Sequence, residues 1–337
     1  MINVGVIGCG HWGPNHLRHF STLPNSRALM GCDLRPERLK VMKTWYPATR
    51  MTTNYLEILK HKKIDAVAIA TPASTHSHLV KESLEYDKDV LCEKPLALTI
   101  EEGEELVSLA RARGRILMVG HTFLFNRGIE KLKDSMKHSD YGTIRYMHAK
   151  RTNLGPIRDD VNVVWDLASH DISIFSYLLG TQPAQVTAKG ESFLQAGVED
   201  VAFISLTYPG DILVNIHVSW LDPRKVREIT IVGDKKMIIW NDIDPIEPIR
   251  VYDKGVIHEP YYETFGEFQI LARQGNITIP KIDLIEPLKI QSQHFLHCVK
   301  TRETPVSDGV TGLQVVKVLT AIQQSMKADG DPQRIPC

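Results

Sequence analysis

The sequence has no net charge, no long apolar run and no clustered cysteines, and each absence excludes a class of protein. Its 40 basic and 40 acidic residues cancel, so no overall field attracts nucleic acid or an anionic membrane. No apolar stretch approaches the roughly 20 residues of a membrane-spanning helix. We therefore expect no nucleic-acid or membrane partner. Because the sequence opens on an apolar strand rather than a secretion signal, we also expect a cytoplasmic location.

The five cysteines are scattered and lack the spacing of metal ligands. We expect free thiols and no metal site. Internal repeats and low-complexity segments are also absent from the sequence. A length of 337 residues suggests two domains, at about 100–200 residues each. We place them at 1–122 and 123–337.

The first domain opens with a glycine-rich turn between two apolar runs. Residues 2–7 form a short, mainly apolar run that is followed by Gly8-Cys-Gly10-His-Trp-Gly13, and a second apolar run ends in Asp33. This order predicts a Rossmann βαβ unit, in which the glycines let the backbone approach a pyrophosphate at a helix N-terminus. Asp33 has the spacing of the carboxylate that binds the adenosine ribose and disfavours a 2′-phosphate. NAD is therefore the predicted cofactor.

Three further apolar runs, 64–70, 89–92 and 115–120, continue the strand–helix alternation. Ligands bind outside the carboxyl ends of parallel strands, so the residues after each run should line one crevice, with His121 at the last of these ends. The predicted cofactor-binding residues are Gly8, Gly10, His11, Trp12, Gly13, Asp33, Leu34, Arg35, Thr71, Pro72, His76, Glu93 and Lys94.

Beyond residue 123 the pattern changes to strands with alternating apolar and polar positions. Six such runs predict a large, mostly antiparallel open sheet with helices on one face. Two long helices are expected near the end, at about Glu286–Lys300 and Val310–Lys327. The predicted fold class is α/β: an N-terminal Rossmann domain with a doubly wound parallel sheet, followed by an α+β domain for substrate binding and oligomerisation. The six runs are 143–150, 184–193, 201–208, 213–221, 227–232 and 237–241.

Two short motifs carry the candidate catalytic residues. Glu93-Lys94-Pro95 puts a lysine at the carboxyl end of a strand, where the alternative is a solvated side chain. Asp166 and His170, taken as part of a starting helix, share one face at roughly 6 Å. A carboxylate beside an imidazole tunes its pKa and orients it, which suits proton transfer. A surface salt bridge is the alternative for this pair.

The loop before this helix carries three basic residues in the nine positions from Lys150 to Arg158. Such residues suit an anionic substrate group, and the alternative is a solvated loop balanced by Asp159 and Asp160. Trp165 either walls the sugar pocket or belongs to the core. The predicted substrate-binding residues are Lys94, Lys150, Arg151, Asn153, Arg158, Trp165, Asp166 and His170.

These motifs, in this order, resemble the glucose-fructose oxidoreductase/inositol dehydrogenase (Gfo/Idh/MocA) family of nicotinamide-dependent sugar oxidoreductases, over the whole chain. Residues 160–180 and 286–313 are similar to a subgroup that oxidises the 3-hydroxyl of UDP-N-acetylglucosamine to a ketone. The chain departs from the family at 162–165, where a glycine pair is common, and at Asn126-Arg127, where the family commonly has asparagine-proline.

The resemblance implies an NAD-dependent dehydrogenase of this or a close UDP-sugar, in lipid A or surface polysaccharide synthesis. It also implies a functional link to a pyridoxal-phosphate-dependent aminotransferase, a homodimer or homotetramer formed through the open sheet, and a cis peptide before Pro95. His170 is the first candidate for the base, Lys94 for stabilising alkoxide charge and Asp166 for orienting the pair, although Lys94 can instead take the proton.

Three alternatives remain open at the level of the sequence. The enzyme can be a dehydrogenase of another sugar or cyclitol, or an NADPH-dependent keto-sugar reductase. The chain can also be a non-catalytic regulator that senses a dinucleotide. A sensor needs the glycine loop but not Lys94, Asp166 and His170 together, so their joint presence argues for an enzyme.

Overall fold

The computed structural model describes residues 1–137, 141–158, 160–253, 255–256, 272–273 and 275–336. They fold into two compact units, one formed by Met1–Phe125 and Glu286–Thr320 and the other by Asn126–Ile285 and Ala321–Cys337. Asp159, most of the proline-containing stretch 254–274 and Cys337 lie outside the described residues. Expectations about those positions therefore stay predictions.

The first unit contains a six-stranded sheet. Its strands are β1 (Ile2–Ile7), β2 (Ser26–Cys32), β3 (Arg50–Thr52), β4 (Ala66–Ile69), β5 (Asp89–Cys92) and β6 (Leu117–Val119). They pair in the order β3-β2-β1-β4-β5-β6, and every pairing is parallel. All residues of β4, β5 and β6 are buried, as a parallel sheet covered on both faces requires. The strand order reverses between β1 and β4, where a doubly wound sheet binds its ligand.

Five helices connect these strands: α1 (Gly13–Thr22), α2 (Pro36–Trp45), α3 (Tyr55–Leu59), α4 (His76–Glu85) and α5 (Ile100–Ala112). Both α1 and α2 carry a proline in the first turn, where its missing N–H leaves no hydrogen bond unmade. The side chains of Asn54 and Thr99 cap α3 and α5 by accepting from backbone amides at 3.0 Å and 3.2 Å. The elements α2, β3 and α3 were not predicted from the sequence.

The second unit contains a nine-stranded open sheet in the order β16-β13-β12-β11-β7-β10-β9-β8-β17. Its pairings are antiparallel except that of β7 with β10, which is parallel. The predicted fold class is therefore confirmed. The strands of this unit are β7 (Ile144–Leu154), β8 (Gln185–Glu191), β9 (Val201–Tyr208), β10 (Ile212–Ser219), β11 (Leu221–Gly233), β12 (Met237–Asn241), β13 (Ile249–Tyr252), β14 (Gly255–Val256), β15 (Ala272–Arg273), β16 (Ile277–Thr278) and β17 (Gln333–Arg334).

Strand alternation in the second unit separates a buried face from an exposed one. In β9, Ile204 and Leu206 are buried while Phe203 is exposed, the period of two expected of a half-covered sheet. Among the described residues, the helices that lie wholly in this unit are α6 (Arg127–Met136) and α7 (Ser169–Leu179). A π-helical turn, Val164–Ala168, runs directly into α7. A π-turn inside a helix is rare and often accompanies a functional site.

The two long helices expected near the end are α8 (Pro287–Thr301) and α9 (Gly309–Lys327), within one residue of the predicted bounds. The first packs in the first unit, where Phe295 lies edge-on to Phe20 of α1 with ring centroids 6.3 Å apart. The second begins in the first unit and continues into the second from Ala321. None of the helices in the described ranges has the length and apolar character to cross a membrane.

Candidate active site

The carboxyl ends of five parallel strands are aligned in the first unit. The last residues of β1, β2, β4, β5 and β6 are register partners across the sheet, namely Ile7, Cys32, Ile69, Cys92 and Val119. The segments that follow them therefore leave the sheet at one edge. This edge carries the glycine loop, Asp33, Thr71, Lys94 and His121, as predicted from the ends of the apolar runs.

The glycine loop keeps its backbone accessible. Gly8 has a φ of 93°, a conformation that L side chains rarely adopt, and a Cβ on Gly13 would overlap the carbonyl oxygen of Gly8. Beside Gly10 the space is open, with the Arg35 guanidinium 3.8 Å from an added Cβ. Trp12, half-exposed, is the N-cap of α1 and makes no side-chain cap. In the first turn of α1 the Asn15 amide donates to the Trp12 carbonyl at 3.0 Å and Pro14 has no N–H. The positive end of the helix dipole still faces the glycine loop and favours an anion such as a pyrophosphate.

Arg38 binds the carbonyl groups of the glycine loop. The sequence did not suggest it as a site residue. Its guanidinium donates to the carbonyl oxygen of Cys9 at 3.0 Å and 3.1 Å and to that of Gly10 at 2.8 Å. The fork geometry of arginine suits two neighbouring carbonyl oxygens. The loop is therefore tied to α2 through its carbonyl groups.

Asp33 is a buried carboxylate at the end of β2. It accepts hydrogen bonds from the Cys9 amide at 2.9 Å and from the Arg35 amide and side chain at 3.0 Å and 3.1 Å. Burial alone would raise the pKa of Asp33, but these hydrogen bonds hold it below its ordinary value. Leu34, the next residue, is exposed. A charged carboxylate here accepts hydrogen bonds, as ribose hydroxyls require.

The segment after β4 is organised by His76. The ring of His76 is buried, with Nδ1 at 2.7 Å from the Pro95 carbonyl oxygen and Nε2 at 3.0 Å from that of Thr71. The Thr75 hydroxyl donates to the Pro72 carbonyl oxygen and accepts from the Thr71 hydroxyl, both at 2.7 Å. The first turn of α4 thus links the end of β4 to the end of β5.

The Glu93-Lys94-Pro95 segment is held by a second buried histidine, which the sequence did not single out. His16, on α1, has its Nε2 at 2.8 Å from Glu93 Oε1, and both side chains are buried. The Lys94–Pro95 peptide bond is cis, as the resemblance implied. Lys94 itself is partly exposed.

His121 follows β6 and is 1% exposed. Neither of its ring nitrogens has a hydrogen-bond partner among the described residues. Burial and the nearby charge of Lys94 lower the pKa of His121 to about 4, against an opposing effect of Glu93. The ring is therefore neutral at physiological pH.

In the second unit, Asp166 and His170 lie on the predicted helix, whose first turn is the π-turn. Asp166 is within that turn and His170 is the second residue of α7. Both side chains are partly exposed. A π-turn has about one residue more per turn than an α-helix. His170, four positions after Asp166, therefore still lies about one turn further along the same helix.

Asp166 is held by two side chains from elsewhere in this unit. Arg158 Nη1 donates to Asp166 Oδ1 at 3.2 Å, and the indole Nε1 of Trp220 donates to Oδ2 at 3.3 Å. Arg158 also forms a two-point ion pair with Asp160 at 2.8 Å and 2.7 Å. Trp220 is 1% exposed and lies 54 positions from Asp166, which is why the sequence did not point to it.

The basic residues before this helix do not converge. Lys150 and Arg151 are successive residues of β7, so they point to opposite faces of the sheet. Arg151 forms a buried bidentate ion pair with Asp171 of α7 at 2.9 Å and 2.7 Å. Lys150 lies on the other face, 3.5 Å from Asp222. Arg158 is the basic residue of the loop that contacts the Asp166 carboxylate.

Polar side chains fix the entry to the π-turn. Asn162 accepts from the Trp165 amide at 3.1 Å and donates to Glu199 at 2.6 Å and to Gln323 at 2.9 Å. Trp165 is partly buried. Asn153 donates to the Gly155 carbonyl oxygen. The family's glycine pair is thus replaced by an asparagine that caps the helix and ties it to two other elements.

Comparison with known proteins identifies the family. Residues 2–121 match the model of an oxidoreductase family with an NAD-binding Rossmann fold, and residues 129–239 match the family's C-terminal domain. The chain belongs to the Gfo/Idh/MocA family. The resemblance seen in the sequence is therefore confirmed, NAD is the cofactor of its Rossmann domain, and the chain is an NAD-dependent oxidoreductase of this family.

Individual relatives act on different sugars. Inositol 2-dehydrogenase 2 from Paenarthrobacter aurescens is 31% identical over 216 residues, which are 61% of this chain and 64% of that relative's length. UDP-N-acetylglucosamine 3-dehydrogenase from Acidithiobacillus ferrooxidans is 25% identical over 335 residues, or 97% of this chain and 98% of that protein.

Solved structures show the same fold at low sequence identity. The structure of the Acidithiobacillus ferrooxidans enzyme superposes with a TM-score of 0.83 at 23% identity, over 97% of this chain and 98% of that chain. WlbA dehydrogenase from Bordetella pertussis, in complex with NADH and UDP-GlcNAcA, gives a TM-score of 0.81 at 21% identity, over 100% and 99%.

Proposed function

We propose that this protein oxidises the 3-hydroxyl of UDP-N-acetylglucosamine, or of a close UDP-sugar, to a ketone with NAD. The observation that carries the proposal is the contact of Arg158 with Asp166. Arg158 is partly exposed and pairs with Asp160 and Asp166, so a diphosphate would bind its guanidinium by exchanging with these carboxylates. A free cyclitol has no such anionic group. A full-length relative that is a UDP-N-acetylglucosamine 3-dehydrogenase supports the same substrate.

For the cofactor, we assign the pyrophosphate to the loop Gly8–Gly13 with His11 and Trp12, and the adenosine ribose to Asp33, flanked by Leu34 and Arg35. Thr71, Pro72, His76, Glu93 and Lys94 follow strands on the other half of the sheet, beyond its switch point, and are assigned to the nicotinamide half. Bound NAD supplies the hydride acceptor. The open backbone at Gly10 and the charged Asp33 fit this assignment.

An alcohol loses a hydride only as its proton leaves, so a base must contact the hydroxyl. We assign this role to His170, with Lys94 hydrogen-bonding the same oxygen and stabilising alkoxide charge. Asp166, fixed by Trp220 and Arg158, orients His170. Lys94 remains the second candidate for the base.

Three basic residues, Lys150, Arg151 and Arg158, were predicted from the sequence to bind the substrate. Arg151 is committed to Asp171 in the protein interior, and Lys150 faces the opposite side of the sheet. We therefore assign the diphosphate to Arg158, with Asn153 and Trp165 beside the sugar. We further propose that the 3-keto product passes to a pyridoxal-phosphate-dependent aminotransferase, and that the exposed face of the open sheet joins subunits in a homodimer or homotetramer.

A dehydrogenase of an inositol or another sugar is the second candidate. It is favoured by the 31% identity with inositol 2-dehydrogenase 2, which exceeds the identity with the UDP-sugar enzyme. The two candidates differ in whether an anionic group is recognised, and this difference is open to direct test.

The test mixes purified protein and NAD with either UDP-N-acetylglucosamine or myo-inositol and follows NADH absorbance. A ketone trap is included because oxidation of a secondary alcohol by NAD is unfavourable near neutral pH. We expect turnover with the UDP-sugar only, and an Arg158→Ala variant should bind it about 10- to 100-fold more weakly, the loss of one charge-assisted contact. Arg158→Ala should leave NADH affinity unchanged, and Lys150→Ala is the matched control with normal substrate affinity. Efficient oxidation of myo-inositol without turnover of the UDP-sugar would replace this proposal with the cyclitol dehydrogenase.

A further inference from the structure

Lys94 lies between two residues that are each bound by a buried histidine of the first unit. On one side, Glu93 Oε1 is 2.8 Å from His16 Nε2. On the other side, the Pro95 carbonyl oxygen is 2.7 Å from His76 Nδ1. The two histidines are 0% and 1% exposed, so water cannot replace either hydrogen bond when it is lost.

The two contacts come from different helices. His16 belongs to α1, whose N-terminus follows the glycine loop, and His76 is the first residue of α4 and also lies 3.0 Å from the Thr71 carbonyl oxygen. The backbone just before Lys94 is fixed as well, because the Glu93 amide donates to the Ile69 carbonyl at 2.9 Å. The segment is therefore anchored on both sides of the lysine.

The second oxygen of Glu93 shows how closely this carboxylate is placed. A Cβ added to Gly120 would lie 2.9 Å from Glu93 Oε2, so this carboxylate oxygen lies against the backbone after β6. The His16 contact at 2.8 Å fixes the other oxygen, Oε1. Without the His16 N–H, this carboxylate loses the side-chain hydrogen bond that sets its direction.

We propose that His16 and His76 are positioning residues for Lys94, acting through Glu93 and Pro95. The inference rests on the role proposed above for Lys94. Helix α1, to which we assign the pyrophosphate, is therefore connected to the segment that carries Lys94 by one side-chain hydrogen bond, between His16 and Glu93.

The first test does not depend on the substrate. Brief acetylation with acetic anhydride, read by peptide mass spectrometry, compares Lys94 with the exposed Lys40 in the same sample. In His16→Leu we expect the rate at Lys94 to change by about tenfold, because losing the hydrogen bond to Glu93 displaces the segment that carries the amine. His16→Gln keeps a donor near the Nε2 position and should restore the rate. Lys40 should react equally in all variants.

The matched control is His19→Leu. His19 is on the same helix, is 2% exposed and also pairs with a glutamate, with its Nε2 at 3.1 Å from Glu286 Oε1. His19→Leu removes a similar histidine–glutamate contact, but one that involves Glu286 and not Glu93. We expect normal Lys94 acetylation in this variant.

The second test is kinetic and uses UDP-N-acetylglucosamine with NAD. His16→Leu and His76→Leu should lower kcat by about 10- to 100-fold, the effect of a small misplacement of a reacting group. In His16→Leu, KM and the NADH dissociation constant should stay within about twofold. His16→Gln and His76→Asn, which keep a donor at the bonded position, should recover most of kcat.

The outcomes separate the inference from the proposed function. Unchanged Lys94 acetylation in His16→Leu, an equal effect of His19→Leu, or a parallel loss of NADH affinity would each overturn the positioning role. An unmodified protein that does not oxidise the UDP-sugar would instead refute the substrate assignment, and the acetylation result would still decide the role of His16.

Discussion

His121 is a buried histidine whose protonation should be visible in the stability of the protein. It is 1% exposed, its ring nitrogens have no hydrogen-bond partner within the described residues, and its pKa is lowered to about 4 from an ordinary 6.5. Below pH 6.5 the unfolded chain takes up a proton that the folded protein does not bind. The stability contributed by the neutral ring is therefore present above about pH 6.5 and is lost as the pH falls towards 4.

The magnitude follows from the size of the shift. Lowering the pH to about 5 crosses about 1.5 pH units between the two pKa values, which at 1.36 kcal/mol per unit corresponds to about 2 kcal/mol of unfolding free energy. The variant His121→Leu cannot titrate. Between about pH 7.5 and pH 5, the unmodified protein should lose about 2 kcal/mol more than this variant, because all other histidines contribute equally to both proteins.

Urea unfolding at the two pH values, followed by tryptophan fluorescence without cofactor, measures this difference. The exposed His78 provides a control for the substitution itself, since His78→Leu makes the same change outside the protein interior. Equal losses in the unmodified protein and in His121→Leu would mean that His121 titrates alike in the folded and unfolded states, and the account of its burial would be refuted.

Two further predictions concern cofactor and catalysis. Asp33→Ala should weaken NADH binding and relax discrimination against NADPH, because the carboxylate that accepts from ribose hydroxyls is lost. Fluorescence titration with both nucleotides measures the two affinities. Tighter binding of NADPH than of NADH by the unmodified protein would contradict the role of Asp33. Lys94→Ala and His170→Ala should retain NADH binding but lose at least about 100-fold in kcat, as for a removed acid–base group. Asp166→Asn should lose less if it only orients His170, and near-normal turnover in Lys94→Ala or His170→Ala would show that other groups carry the reaction.

The first unit was the more predictable one from sequence, for a physical reason. Buried parallel strands are continuous apolar runs, so β1, β4 and β5 were visible, and the residues at their carboxyl ends followed from topology alone. The elements α2, β3 and α3 were missed. β3 and α3 have three and five residues, too few to show a period, and α2 has only two buried positions.

The second unit shows where sequence patterns fail at a site. The basic loop looked like one cluster, but the alternation of β7 sends Lys150 and Arg151 to opposite faces, and a buried Asp171 takes the arginine. In the π-turn at Asp166 the backbone hydrogen bonds join residues five positions apart instead of four. The spacing of apolar residues in the sequence does not reveal this change. The contact of Trp220 with Asp166 joins distant positions, and only the folded chain reveals it.

The hold of Arg38 on the glycine loop has a consequence for how the cofactor is captured. With the carbonyl oxygens of Cys9 and Gly10 bound to one guanidinium, the peptide planes of the loop are set when the domain folds. The conformational entropy of this segment is then lost during folding and not during association, so it does not weaken the binding of the dinucleotide. A lysine at position 38 would keep the charge but not the fork. The loop would then be ordered only on association, and NADH would bind more weakly.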